Sequence, residues 1–514
     1  MPKDYLSEFL PDLEEFRKKT IQFHNKELSV AEYKAFSGGF GSYAQRGGEK
    51  HMLRLRMAGG RLTKDRLEFI IKTCEKYHIN FVKLTTCQSI QLHNLEAENL
   101  CEMMEEAWKA GMISRGGGGD FPRNVMASPL SGVQQDEYFD VMPYAEAAGE
   151  YLMQFIKAVK FPRKLKVSFS SNPANEPHST FRDMGFCANA NKTFDVYICG
   201  GLGNNPSLGI KVAADIDGNK ILYYIKAMVN TFVTYGNYEN RAKSRTRYLK
   251  DTLGIDGLIN VYTEQLKNVM ESEQLDINVS PYVINKTGNS SLSYPHKRVV
   301  TQKQSGLYSI FYQPLGGKIA PEKLKELYEV IKDMNDVEIR ITPDEGLYVI
   351  NCNANETEKV LEITNDGANT LFETSVACVG ASTCQVGLGD SPALLARCIE
   401  AVKKENFPDG VLPKIHISGC PSSCGTHQIA AIGFRGAMKP TPEGPKPAFA
   451  VFEGGNDRQG EEVIAGTGKA IAVDEIPNFL VELGRMVHSE GMVYEQWIQS
   501  NHDKLVSLIE KYTA

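Results

Sequence analysis

The sequence predicts an α+β fold of three domains, mixed and antiparallel sheets carrying helices, and three observations predict it. The chain of 514 residues is 42% apolar and 23% charged, enough apolar material for roughly three ordinary cores. A strand–turn–helix–strand pattern occurs twice, at an offset that lays Gly59 and Gly60 on Gly316 and Gly317, Leu67 on Leu324 and Thr85 on Thr342; an internal duplication with a pseudo-two-fold axis is the economical reading. The remaining segments mix strands and helices without a regular βαβ rhythm. The division that follows is 1–120 plus 299–372 as the duplicated domain, 121–298 as a second and 373–514 as a third.

The opening stretch, MPKDYLSEFLPDLEEFRKK, is charged and amphipathic, without the apolar core of a secretory leader. No apolar run approaches the ~18 residues of a membrane helix. The expected location is cytoplasmic, with no membrane partner. A net charge of −6 supplies no global field for nucleic acid, so any anion must be held by a local cluster of cations.

From His51 to Asn94 the apolar period runs from two to about 3.6 and back, which reads as strand, Gly-Gly turn, amphipathic helix, strand. SIFYQPLGGKIAPEKLKELYEVIKDMNDVEIRITPDEGLYVIN repeats it from Ser309. At the same offset Arg54 meets Phe311 and Cys87 meets Asp344, so the second copy keeps the scaffold and loses the polar chemistry. Between the copies, LKVSFS and FDVYICGG read as strands, YYIKAMVNTFVTYG and the basic NRAKSRTRYLK as helices. GGLGNNPSLG lacks the helix start of a dinucleotide site, and Gly116 to Gly119 read as a loop that lets backbone approach a ligand.

Of eleven cysteines, Cys74, Cys101, Cys187, Cys199, Cys352 and Cys398 stand alone and read as small core residues. Cys378-x5-Cys384 and Cys420-x3-Cys424 differ: two Gly/Ser-rich loops offer four soft thiolates, the ligand set of a tetrahedral zinc or a four-iron cluster. The x5 gap is wide for a zinc knuckle and favours iron–sulfur.

These loops, with MLRLRMAGG, KLTTCQSIQLH, DFPRNVMASPLSG, FPRKLKVS and GFRG, resemble the sulfite/nitrite reductase hemoproteins, which join sirohaem to a [4Fe-4S] cluster. The resemblance spans about residues 30 to 480. It implies a three-domain sirohaem reductase fold built on duplicated ferredoxin-like half domains, cluster ligands Cys378, Cys384, Cys420 and Cys424, and Cys424 as the thiolate bridging to the haem iron. It also implies an anion site of Arg54, Arg123, Lys164 and Lys166. Lys164-Leu165-Lys166 lies on a predicted strand, where positions i and i+2 point to the same face, so both ammonium groups can enter one cavity. Lys-x-Lys resembles the sulfite-reducing members, where the plant-type nitrite reductases carry Lys-x-Asn.

Sirohaem bears many carboxylates, and the cradle the resemblance implies is Lys83, Thr85, Gln91 and His93, read as alternate positions of one strand region, with the adjacent Thr86, and with Arg56 and Arg115 adding charge. One departure stands out: the family's Thr-x-Arg-Gln has Cys87 in place of arginine, which removes one carboxylate clamp. The expected activity is six-electron reduction of sulfite to sulfide, with nitrite reduction to ammonia as the near alternative and a haem-less iron–sulfur carrier as the distant one. No flavin or nicotinamide domain is legible, so reduced ferredoxin is the expected donor.

Overall fold

A computed structural model describes residues 5–288, 290–292, 294–442 and 444–513. Its strands form four five-stranded sheets. In the first copy, Ser42–Ala44, His51–Leu55, Ile90–Leu95 and Val82–Leu84 run antiparallel; in the second, Val299–Thr301, Tyr308–Tyr312, Leu347–Cys352 and Glu338–Ile341 repeat that order. Each sheet takes its fifth strand from the other copy. Arg61–Leu62 pairs with Glu338–Ile341, Arg61 opposite Arg340, and Lys318–Ile319 pairs with Val82–Leu84, Lys318 opposite Lys83.

Glycine makes that exchange possible. Gly60 and its counterpart Gly317 both have φ of 68°, a left-handed conformation that costs side-chain-bearing residues energy. A Cβ at Gly60 would stand 2.6 Å from the Ile341 carbonyl oxygen, so the chain can cross to the other copy only there. Helices Lys64–Lys76 and Pro321–Ile331 pack together over the sheets. One core, including Leu53, Ile70, Leu92, Ile310, Leu327 and Ile339, joins both halves.

The other two sheets are also a pair, a second repeat that sets Lys166 on Lys414 and Gly185 on Gly433. Met126–Ala127, Val167–Ser170 and Met184–Ala188 run parallel, followed by antiparallel Phe194–Ile198 and Ile210–Ile216. Val376–Ala377, Ile415–Ser418, Ile432–Lys439, Lys446–Glu453 and Gly466–Ala472 have the same order and senses. Each has its own core. In both, a left-handed residue, His178 or Thr426, leads into a short 3-10 turn before the third strand. Left-handed Asn175 and Ser423 precede these by three positions, which makes Glu176 the counterpart of Cys424.

Three local expectations change. Lys83 to His93 is a hairpin, with Lys83 directly opposite Gln91, because Thr85 Oγ1 accepts from the N–H groups of Cys87 and Ser89 and folds the chain back. NRAKSRTRYLK is not a helix: it forms two 3-10 turns, Arg241–Lys243 and Thr246–Tyr248, ahead of helix Leu249–Ser272. Asn240 and Ser244 side chains bond the local backbone there, the competition that disfavours helix. Lys164 and Lys166 lie in the extended approach to strand Val167–Ser170, held by the Pro122–Leu165 bridge.

Candidate functional site

The sheets of the first copy and of the second and third units meet around a cationic cavity. Arg54 leaves strand His51–Leu55 and donates from Nη1 to Gly117 O at 2.6 Å; Arg123 donates to the same carbonyl at 2.7 Å and to Gly119 O at 3.0 Å. The glycine loop therefore anchors one edge of each guanidinium. Lys166 is aimed by its backbone N–H, which donates to Asp183 Oδ2 at 2.9 Å. Asp183 is fully buried and also accepts from Arg245 Nη2 at 2.9 and 3.0 Å and from Thr246 Oγ1.

Burial, then Arg245, Lys166 and Arg123, hold the Lys164 ammonium well below its ordinary proton affinity. Burial lowers Lys166 too, with Cys87 opposing, and brings Arg123 down to about 10. Crowded desolvated cations of this kind have a strong appetite for an anion and, in Lys164, a proton ready to leave.

The four paired cysteines converge. Burial pushes the Cys424 thiol up to about 12, with Cys378, Cys420 and Cys384 adding to it and Lys164 opposing. Cys424 is nonetheless open to solvent, so it lines a recess that a ligand could enter. Among the described residues no three His, Cys, Asp or Glu side chains are placed to hold a single metal ion, although the other three thiols are near enough to Cys424 to act on it by charge. Gly419 N–H donates to Cys378 Sγ at 3.1 Å, the kind of N–H···S contact that tunes a cluster. Two tethers lock this loop pair to the first copy: Thr86 Oγ1 donates to Cys424 O at 2.8 Å, and Arg46 donates to Cys384 O at 3.1 Å and Gly387 O at 2.7 Å.

The expected cradle divides in two. Lys83 is spent inside the protein: its Nζ pairs with Glu345 at 2.7 Å, both side chains 3% exposed, and donates to Gly316 O and Ala377 O. With three donors and three protein acceptors it has none left for a cofactor. Arg56 is buried and donates to Arg115 O at 2.7 Å and Arg123 O at 3.0 Å, and Arg115 to Gly39 O at 3.0 Å and Asp12 at 3.1 Å; both brace the wall. Thr85 serves the turn. Gln91 relays: in the orientation that satisfies both neighbours its amide oxygen accepts from Arg54 and its nitrogen donates to His93 Nε2 at 3.2 Å. His93 Nδ1 then donates to Gln45 Oε1 at 3.1 Å. Burial first, then Lys83 and Arg54, hold His93 down to about 3, so it is a neutral positioning ring.

Cys87 sits at the tip of the hairpin, its Sγ 3.4 Å from Lys166 Nζ. Burial works against its thiolate, but Lys166, Arg182 and Arg54 outweigh burial and bring the thiol down to about 6. Arg182 is a lone arginine in a turn, hinted at only by the adjacent Asp183, and Arg245 and Arg247 lie in the basic run NRAKSRTRYLK, whose composition marks positive charge but not where it points. Several donors are buried without a partner here: Arg123 Nε, Arg182 Nη2, Arg245 Nε, and Nε and Nη1 of Arg247. Orphaned buried donors cost ~1–3 kcal/mol each, and this set fits an anionic ligand with many oxygens.

Two strand-exchanged half domains carrying a cationic cavity over four converging thiols define an oxidoreductase that handles anions beside an iron–sulfur centre. The model of the nitrite and sulphite reductase 4Fe-4S domain matches residues 118–270, and that of the nitrite/sulfite reductase ferredoxin-like half domain matches 43–109 and again 300–366. The chain belongs to the sulfite/nitrite reductase hemoprotein family, whose members use sirohaem and a [4Fe-4S] cluster. Similar proteins include the assimilatory ferredoxin-dependent nitrite reductase of Haloferax mediterranei, 26% identical over 504 residues, 90% of this chain and 84% of that one. The ferredoxin sulfite reductase of Mycobacterium tuberculosis is 24% identical over 477 residues, 87% and 81% of the two chains. The solved structure of Mycobacterium tuberculosis NirA protein has the same fold, with a TM-score of 0.75 at 23% identity over 93% of this chain and 92% of that one. No helix among the described residues is long and apolar enough to cross a membrane.

Proposed function

We propose that this chain reduces sulfite to sulfide, drawing six electrons singly from an external donor of the ferredoxin type. In this reading Cys378, Cys384, Cys420 and Cys424 hold the cluster, Arg54, Arg123, Lys164 and Lys166 hold the anion, and the cavity lies where residues 1–120 plus 299–372 meet 121–298 and 373–514. Bound sirohaem supplies the iron on which the anion is reduced, and the cluster supplies the electrons. Arg54 and Arg123, steadied by the glycine loop, present their remaining N–H groups to oxyanion oxygens. Each oxygen leaves as water and consumes protons, and Lys164, whose ammonium is destabilised by burial and by Arg245, is a group able to give one. Asp183 holds the Lys166 backbone in place.

The observation that carries the substrate is the second ammonium, Lys166, in the same cationic cluster as Lys164. At ~4 Å and an effective dielectric near 20, each added cation is worth about 4 kcal/mol per unit of substrate charge, which favours the dianion sulfite over the monoanion nitrite. The second reading, nitrite to ammonia, draws on the likeness to the ferredoxin-dependent nitrite reductase of Haloferax mediterranei. Steady-state kcat/KM for sulfite and for nitrite, with reduced ferredoxin and with reduced viologen, separates them: a higher value for sulfite is expected, and a higher value for nitrite selects the second reading. Sirohaem bands in the absorption spectrum of anaerobically purified protein test the cofactor assignment.

A further inference from the structure

The hairpin that should carry a guanidinium at its tip carries Cys87. The structure places another guanidinium against it. Arg182 lies between the 3-10 turn Ser179–Phe181 and strand Met184–Ala188, is 4% exposed, and acts on Cys87 by charge, as Cys87 acts on it. One edge of the Arg182 side chain is fixed, Nε donating to Pro177 O at 3.0 Å. Its Nη2 is buried without a partner. The adjacent carboxylate does not claim it, because Asp183 is engaged by Arg245, Thr246 and the Lys166 N–H, and Arg182 forms no ion pair among the described residues.

A fixed, desolvated guanidinium with an unpartnered N–H, within range of the thiol at the hairpin tip, is a binding group suited to an anionic oxygen. The thiol shows the same thing from the other side: with three cations converging on it, Cys87 is the acid they pull toward its anion. At the related site on the other half of the molecule the counterparts of Cys87 and Arg182 are Asp344 and Ala430, and Asp344 is paired with Lys414, so no guanidinium is stationed there.

We propose that Arg182 supplies, from the second domain, the carboxylate clamp that the hairpin of the first domain lacks, and that Cys87 is the small side chain that makes room for it. The ligand group is a carboxylate arm of the bound macrocycle. An arginine at 87 and Arg182 would compete for the same space and repel, so the two positions form an exchange: guanidinium on one side or the other, a small or neutral group opposite.

The inference rests on the reading of the cavity as the sirohaem site, and the test separates the two. Wild type, Arg182→Gln, Arg182→Lys and the double variant Arg182→Gln with Cys87→Arg are purified anaerobically as holoenzymes, and extracted sirohaem is measured against cluster iron, which reports folding of the thiol loops. Loss of one charge-assisted bond corresponds to about tenfold or greater weakening, so Arg182→Gln should retain several-fold less sirohaem per cluster. Arg182→Lys should fall between, and the double variant should recover at least half of the wild-type ratio. A wild-type ratio in Arg182→Gln, with or without a raised KM for sulfite, overturns the clamp and leaves the cavity reading intact. Failure of the double variant to exceed Arg182→Gln overturns the exchange. Absence of sirohaem from wild type sinks the cavity reading itself.

Discussion

The molecule contains its working site and a mate of it, built from the same scaffold. Around the first, Cys87 meets Lys166 and Cys424 lies within range of Lys164; around the second the counterparts of Cys87, Lys166 and Cys424 are Asp344, Lys414 and Glu176. Lys166 is 3.4 Å from a thiol and its ammonium is weakened by burial, whereas burial of Lys414 is overcome by Asp344, which pairs with it and raises its proton affinity. The same lysine is available in one place and neutralised in the other. Glu176, where a cluster thiol would be, is pushed up to about 7 by burial and then by Asp344, and its Oε2 has no partner. Identical backbone therefore does not make identical chemistry. A single acidic side chain across from the lysine switches the cation site off.

The two halves also solve one structural problem differently. In the first, the Gln88 amide bonds Ala127 on both sides, N–H to Oε1 at 2.9 Å and O to Nε2 at 2.8 Å. In the second, Glu345 stands at that position and can only accept, from Ala377 N–H at 3.1 Å. Lys83 supplies the missing donor to Ala377 O at 2.8 Å. A neutral amide on one side is an ion pair on the other.

The largest effect that tests the contrast is at the thiol. Cys424→Ser should abolish both cluster iron and reductase activity, while Glu176→Gln leaves iron content unchanged; equal iron in both variants would remove the asymmetry. Next is the ion pair. Lys83→Met strands the Glu345 charge and should cost ~3–5 kcal/mol in denaturant unfolding, with most of it recovered in Lys83→Met with Glu345→Gln; no recovery would mean that the carboxylate is not the source of the loss. A smaller effect is expected on specificity. Lys166→Asn should lower the ratio of kcat/KM for sulfite to that for nitrite by about tenfold, ~1.4 kcal/mol, and Lys414→Asn should leave the ratio alone.

The smallest effect is in pH dependence. The folded-state affinity of Glu176 for its proton lies above its unfolded value of 4.5, at about 7. The folded protein thus binds the extra proton between those values, and this group's contribution to stability falls as pH rises through that window. Glu176→Gln should flatten the decline, read as Tm against pH from 4.5 to 7; an unchanged slope would assign the decline elsewhere.

Much of this was legible beforehand where residue type and spacing both speak. The glycine pairs marked the duplication because only they tolerate the crossing, and the two cysteine pairs stood out by chemistry. Lys83 misled for an instructive reason: a lysine on a cofactor-facing hairpin reads as a ligand, yet its acceptors come from Gly316, Glu345 and Ala377, far along the chain. The kinship of the second and third units rests on backbone conformation, Asn175 with Ser423 and His178 with Thr426, and on scattered side chains, Lys166 with Lys414 and Gly185 with Gly433, too sparse to stand out by spacing. Arg182 and Arg245 were passed over because convergence on Cys87 and Asp183 is a property of the packed molecule.

The swapped edge strands carry a consequence for biosynthesis. Until Lys318 and Ile319 have left the ribosome, Val82–Leu84 has an unpaired rim, a template for wrong partners, and the last thiol emerges more than a hundred residues later still. Long-range pairing of this kind is slow to form: the nascent chain must be guarded while the residues between Leu84 and Lys318 are made, and a cluster that needs all four thiols can be installed only after Cys424 has emerged.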